Sequence, residues 1–479
     1  MGVQLSSCFM IHALFAPFRL ANRRIQTMLG RIASRAAASA TTTATAIAST
    51  TATRAFSARG AAVAVAAAKS GTSAKHTVLA DRIAGIPTDA EAAANFPAKF
   101  LGFELAKDKP LFTPGPLGVS LTTKQAALRD LGSRDRLFMD TVKDIRTQLV
   151  QLAGVSTKDF TSVLIQGSGS FAVEAVIQTA LPRKGGKFLV LANGAYGYRM
   201  NKMANYLDIP VIMFEFPETE KAPLAEVEKL LKANPDVTTV AIVHSETSSG
   251  IINPISEVGA LVRKHLPNAT YFVDAMSSFG GIPINMEEAN IDFLVSSANK
   301  CIEGTPGFSY AIARRSALDK CKGNSRSLSL DLQDQNAYME QTGQFRFTPA
   351  THSILSFRQA LRELEIEGGV EARAARYQLN RAILRKGMAE LGFRELLDNS
   401  HEGYIITSFH FPKHAKFDFE KFYSTLSAKG YVIYPGKVTK ADCFRVGSIG
   451  RLFPNHMTEL LETMKVVLAE MGIPTPIQE

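Results

Sequence analysis

No aspartate or glutamate occurs before Asp81 in this 479-residue chain, although the same first 80 residues hold seven arginines and two lysines. The formal net charge of +10 therefore resides in the leader, and the remaining 399 residues carry 45 basic against 44 acidic side chains. A neutral body lacks the basic face that nucleic acid requires, so such a partner is disfavoured. Cysteine is also scarce. Cys8, Cys301, Cys321 and Cys443 are too widely spaced for a disulfide framework or a zinc site, which suits a reducing compartment and no bound metal. Long apolar runs are missing as well. Residues 36–53 are uncharged over 18 positions, but they are mostly Ala, Thr and Ser and partition too weakly to span a membrane. What remains is ordinary globular composition, 46% hydrophobic and 20% charged, long enough for two or three domains.

The acid-free leader, residues 1–80, is rich in Ala, Ser, Thr and Arg, which is the composition of an organelle transit peptide. Phe9, Leu14, Phe15, Phe18, Leu20 and Ile25, with Arg19, Arg23 and Arg24, suit a basic amphipathic helix attracted to anionic membranes. Arg54-Ala-Phe56-Ser57 resembles a mitochondrial processing site, so a mitochondrial location with cleavage after Phe56 is expected. The other reading is a low-complexity tail without an address.

From residue 111 onward, short β-branched runs alternate with amphipathic stretches. Strands are predicted at 162–166, 188–192, 211–214, 239–244, 270–274, 293–296 and 308–313, with helices at 171–181, 224–233 and 255–265. Apolar strands flanked by helices predict a mostly parallel sheet covered on both faces, an α/β large domain over 111–345. Residues 331–352 read as a polar, Gln-rich loop. Beyond it one long charged helix is predicted over 353–391, then strands at 405–411, 431–434 and 443–446 around helices 417–429 and 454–471. Residues 346–479 thus form a smaller α+β C-terminal domain.

Three segments carry chemistry. Gly167-Ser168-Gly169-Ser170 lies between a strand and a helix, where tight turning and free N–H groups suit a phosphate. It is too poor in following acids for a dinucleotide fingerprint, and a plain glycine turn is the alternative. Asp274 ends the strand 270–274, where open α/β sheets bind ligands; a helix cap or turn aspartate is the bland reading. Asn299-Lys300 ends another strand ahead of a glycine-rich stretch, although a lone lysine is usually a surface residue. Together, a phosphate cradle, a strand-end carboxylate and a strand-end lysine are what pyridoxal phosphate requires.

At this point the sequence resembles the class V, fold type I aminotransferases. Within them it is similar to the branch that moves the amino group of 2-aminoethylphosphonate to pyruvate, giving phosphonoacetaldehyde and L-alanine. The resemblance runs over 111–471 and rests on Thr113-Pro-Gly-Pro-Leu117, Gly167-Ser-Gly-Ser-Phe-Ala-Val-Glu-Ala175 and Val273-Asp-Ala-Met-Ser-Ser-Phe-Gly-Gly281. Ser297-Ala-Asn-Lys-Cys301, Arg346-Phe-Thr-Pro-Ala-Thr-His352 and Phe444-Arg-Val-Gly-Ser-Ile-Gly450 add to it. The resemblance implies pyridoxal 5'-phosphate as cofactor, Lys300 as the lysine that bonds to it and shuttles the proton, and Asp274 as partner of its ring nitrogen.

It further implies that Ser168, Gly169 and Ser170 hold the phosphate, that Tyr196 stacks on the ring, and that Thr247 bonds the phenolic oxygen, with Asn299 beside the lysine. Thr348 would reach the cofactor phosphate of a neighbouring subunit, making the active unit a homodimer. Arg445 would grip phosphonate and then carboxylate, for which a planar, always-charged fork is suited. Without the family, Tyr196 reads equally as a core residue and Arg445 as a solvated charge. The rival within the family is an alanine–glyoxylate or serine–pyruvate type enzyme. A cysteine desulfurase is disfavoured, because no Cys lies in a suitable loop and Cys301 reads as packing.

Overall fold

The computed structural model describes residues 108–398, 403–435 and 442–478; the predicted leader and its cleavage point lie outside them. Seven strands, β1 (Phe160–Gln166), β2 (Phe188–Ala192), β3 (Val211–Glu215), β4 (Thr239–Val243), β7 (Thr270–Asp274), β8 (Phe293–Ser297) and β9 (Phe308–Arg314), form the main sheet in the order β1-β9-β8-β7-β4-β2-β3. A two-stranded ribbon, β5 (Ser245–Glu246) and β6 (Ile251–Ile252), follows β4. The pairs from β3 through β8 are parallel, and β9 runs antiparallel to both β8 and β1. The sheet is mostly parallel, as the alternating pattern predicts, and all seven main-sheet strands coincide with expected ones to within two residues at either end.

Why the strands read as unbroken apolar runs is visible in β2. Phe188 and Val190 face one apolar cluster while Leu189 and Leu191 face another, so both sides of the sheet are buried. Alternate side chains point to opposite faces, and helices cover both. The edge strand β3 keeps only partial cover along its length.

Six helices matter below: α1 (Gly169–Ala180), α2 (Ala195–Tyr206), α3 (Leu332–Thr342), α4 (Thr351–Glu367), α5 (Gly369–Leu391) and α6 (Pro454–Glu470). Three of them correct the sequence reading. The expected loop 331–352 contains α3, whose Asp331 side chain accepts the Asp334 N–H at 3.0 Å and whose end is Gly343 at φ 72°. Its caps define it, since it buries few apolar side chains. The single long helix expected at 353–391 is divided into α4 and α5, because Gly368 and Gly369 take φ of 109° and 83°. Only glycine adopts that backbone without strain, and the apolar pattern continues across the break.

A second sheet, β10 (Ile406–His410), β12 (Cys443–Gly447) and β11 (Tyr434–Pro435), is antiparallel and packs Phe409, Phe444 and Val446 with α6 side chains Leu460, Met464 and Val467. Phe112 belongs to this same apolar cluster. Its N–H bonds the Val432 carbonyl at 2.8 Å and its carbonyl accepts Gly447 N–H at 3.0 Å. A Cβ at Gly447 would lie 2.5 Å from the Thr113 carbonyl oxygen, so the close approach requires glycine.

α5 carries a buried ionic quartet. The Arg376 guanidinium donates to Glu367 Oε1 at 2.8 Å and Glu303 Oε1 at 2.7 Å, and Arg373 Nε donates to Glu367 Oε2 at 2.7 Å. Arg373 also donates to the Cys301 carbonyl at 2.6 Å, while Arg376 donates to the carbonyls of Gly450 and Leu452. One helix thus ties the turn after Lys300 to the loop after β12.

Candidate active site

The C-terminal ends of β4, β7 and β8 lie side by side, with Val243 paired to Asp274 and Asp274 to Val295. β1 ends at the same edge. There Gly167 takes φ 107°, and a Cβ would press on the Phe171 ring at 2.8 Å. The turn presents Ser168 as the N-cap of α1, its hydroxyl making no cap bond and no acid standing in the first helical turn. A Cβ on Gly169 would meet the tip of the Met276 side chain, so the glycine lets Met276 pack against the start of α1. The free N–H groups and dipole of α1 therefore face a cavity of about 230 Å³.

Asp274 is 3% exposed, and its Oδ1 accepts the Met276 N–H at 2.9 Å. Burial pushes its carboxyl up to about 6, opposed by that N–H and by the charges of Arg199 and Lys300. Lys300 follows β8 and donates from Nζ to the Pro114 carbonyl at 2.7 Å. Desolvation lowers its ammonium to about 8. Gly115, at φ 110°, is where any Cβ would fall on the lysine Nζ, so this turn is shaped around the amine. Asn299 accepts the Ser297 hydroxyl at 3.0 Å through Oδ1.

The cavity brings together Ser168, Gly169, Ser170, Tyr196, Asp274, Asn299 and Lys300, all singled out from the sequence. Thr247 and Arg445 are joined to each other: Arg445 Nη1 donates to the Thr247 carbonyl at 2.7 Å. Both are buried, the Thr247 Oγ1 and Arg445 Nε have no hydrogen-bond partner, and the guanidinium sits 4.8 Å over the Tyr434 ring. Burial lowers the Arg445 pKa, as expected for a cation removed from water. Thr348 is exposed and does not line the cavity; its carbonyl accepts Gln166 Nε2 at 2.8 Å, beside the end of β1.

Two residues at this site escape the sequence reading. Glu246 is fully buried and accepts Ser248 Oγ at 2.7 Å, Ser248 N–H at 3.1 Å and Tyr196 N–H at 3.3 Å. A Cβ at Gly194 would lie 2.5 Å from its carboxyl carbon, so the Gly194–Tyr196 turn rests directly on it. Burial pushes this carboxyl to about 7. Arg199 lines the cavity three residues after Tyr196, a spacing that puts both on one helix face and could have signalled it.

The raised Asp274 pKa has a consequence for stability. A carboxyl at about 6 in the folded chain and 3.8 unfolded stabilises below pH 3.8, and that contribution is lost as pH rises through 6. Asp274→Asn is therefore expected to raise the unfolding free energy of the ligand-free protein at pH 8 by about 3 kcal/mol, two pKa units' worth. At pH 4 it should change little. Urea titrations at the two pH values compare these, and a variant destabilised at pH 8 would contradict the ordering.

The family Aminotransferase class-V matches residues 120–437. A 2-aminoethylphosphonate–pyruvate transaminase of Bacteroides fragilis is 49% identical over 357 residues, covering 74% of this chain and 98% of that protein. A bifunctional phosphonoacetaldehyde hydrolase/aminoethylphosphonate transaminase of Clostridioides difficile is 48% identical over 75% of this chain, which spans 56% of that longer protein's length. Among solved structures, an alanine–glyoxylate aminotransferase of Nostoc superposes with a TM-score of 0.70 at 23% identity, over 78% of this chain and all of that one. At that identity the likeness is one of fold.

These relatives also correct one expectation. They come from bacteria, which have no mitochondria, and so overturn the mitochondrial location read from the leader. An acid-poor, Ala/Ser/Thr-rich composition is shared with tails that carry no address, which is why it misleads. Among the described residues, no helix is long and apolar enough to cross a membrane.

Proposed function

Since this chain belongs to the class-V aminotransferases, we propose that it uses pyridoxal 5'-phosphate to move the amino group of 2-aminoethylphosphonate to pyruvate, yielding phosphonoacetaldehyde and L-alanine. The observation that carries this reading is the 49% identity spanning 98% of a transaminase of that name. The residues fit the cofactor. A helix N-terminus with an unbonded cap hydroxyl suits a phosphate, the buried Asp274 suits a ring nitrogen, and the orphaned Thr247 Oγ1 suits a phenolic oxygen.

When bound, the cofactor supplies an aldehyde for the amine and a conjugated ring that withdraws electrons from the substrate carbon. Ser168, Gly169 and Ser170 would hold its phosphate, Tyr196 would stack on its ring, and Asp274 would keep a proton on the ring nitrogen. Thr247 donates its hydroxyl proton to the phenolic oxygen, and Asn299 lies beside the reacting lysine. Lys300, with its ammonium lowered to about 8, holds a usable fraction of neutral amine near neutral pH. Its Nζ can then take the proton from the substrate carbon and return it one position away. Arg445 binds the phosphonate of the donor and then the carboxylate of pyruvate. Its link to the Thr247 carbonyl connects substrate grip to cofactor placement.

The same reading makes Thr348 a contact to the cofactor phosphate of a second copy, hence a homodimer, and divides the body into domains 111–345 and 346–479. The test is an absorbance spectrum of the cofactor-loaded protein. A visible band that bleaches with 2-aminoethylphosphonate and returns with pyruvate is expected. Bleaching by alanine or serine alone would move the enzyme to the alanine–glyoxylate or serine–pyruvate type, and no band after loading would remove the cofactor reading.

A further inference from the structure

We infer that Arg199 is the charge partner of the cofactor's phosphate, an assignment that rests on the cofactor reading above. The charges around the cavity are already distributed under that reading. Asp274 faces the ring nitrogen, Lys300 the reacting carbon, and Arg445 the substrate anion. A phosphate with close to two negative charges would be left with α1's N–H groups and two hydroxyls, none of which carries a full positive charge. Arg199 fills that gap. It lines the cavity with Ser168, Gly169 and Ser170, and its Nη1 donates to Ser170 Oγ at 3.2 Å. Among the described residues, no carboxylate lies within ion-pair distance of it.

A second contact fixes the guanidinium in place. Its central carbon stands 4.9 Å from the Tyr196 ring centroid, within cation–π range. Tyr196 and Arg199 occupy one face of α2, three residues apart, so the residue that stacks on the ring also holds the one that meets the phosphate. The Asp274 carboxyl and the Lys300 amine both feel the Arg199 charge, which places that charge within the site's field.

The experiment uses cofactor-stripped protein titrated with pyridoxal 5'-phosphate and, separately, with pyridoxal, which lacks the phosphate. Wild type, Arg199→Met and Arg199→Lys are compared by absorbance, with melting curves to verify folding. Loss of a charge-assisted contact predicts that Arg199→Met weakens pyridoxal 5'-phosphate by about tenfold or more and leaves pyridoxal unchanged, with Arg199→Lys intermediate. Equal weakening of both ligands would assign Arg199 to supporting Tyr196 and overturn the inference, as would unchanged affinity for pyridoxal 5'-phosphate. Wild-type protein that binds the two alike would instead sink the phosphate cradle itself, and Arg199's role with it.

Discussion

Lys300→Ala is expected to lower turnover of 2-aminoethylphosphonate by about ten-thousandfold or more, the largest loss from any single substitution in this protein. Under the proposed roles two functions vanish together, the amine that bonds the cofactor and the base that carries the proton, and residues acting in both capacities show losses of this order. Lys300→Arg should be nearly as damaging, because a guanidinium stays charged at any usable pH and cannot accept the proton. Single-turnover kinetics on cofactor-loaded variants measure this, and more than a tenth of wild-type rate in either would refute the assignment. The fold should not suffer. A lysine whose pKa is depressed to about 8 contributes stability only toward high pH and loses it as pH falls through 8. At pH 7 its removal lifts a desolvation penalty, so an isosteric Lys300→Met protein is expected to be no less stable than wild type.

The second large effect belongs to a group that touches no reactant. Arg376→Met leaves Glu303 and Glu367, both buried, sharing the single guanidinium of Arg373. Breaking a buried ionic cluster by removing one partner costs about 3–5 kcal/mol, since a carboxylate is left desolvated and unpaired. Denaturant unfolding at pH 7 should report a loss of that size. The arginines hold Glu367 down at about 2 against its burial, so its share of the stability is present above the ordinary glutamate range and is lost as pH falls through 2. The substitution's cost is accordingly expected to shrink in acid. A loss below about 1 kcal/mol at pH 7 would mean that water reaches the quartet. Activity should fall too, because Arg376 and Arg373 hold the turn after Lys300.

The sheet was legible because every main-sheet strand except the edge strand β3 is buried along nearly its whole length, leaving short apolar runs such as 239–243 and 270–274. What failed depended on single backbone positions. Two adjacent glycines divide α4 from α5 inside a pattern whose apolar spacing never falters, and α3 stands on an aspartate cap in a stretch too polar to announce a helix. The site followed the same logic. Gly167–Ser170, Asp274 and Lys300 sit at strand ends, where sequence position predicts location, and the cavity unites them. Glu246 was hidden beside Thr247, since nothing in one sequence says that a carboxylate is buried beneath a turn 50 residues earlier. Arg199 carried a signal, its helical spacing from Tyr196, that only the shared cavity makes meaningful.

Phe112 inserts into the second sheet's apolar cluster by bonding residues 432 and 447, more than 300 positions downstream. During synthesis the chain emerges from its N-terminal side, so the Phe112 backbone lacks these two partners until residues 432 and 447 have been made. The turn at Pro114–Gly115 that receives the Lys300 amine hangs from that same segment. Contacts so distant along the chain close late and slowly. The Pro114 carbonyl that receives the Lys300 amine is therefore pinned only once those residues are in place, and a chain truncated before residue 443 is expected to hold the strand-end residues of the large sheet without this anchor beside its lysine.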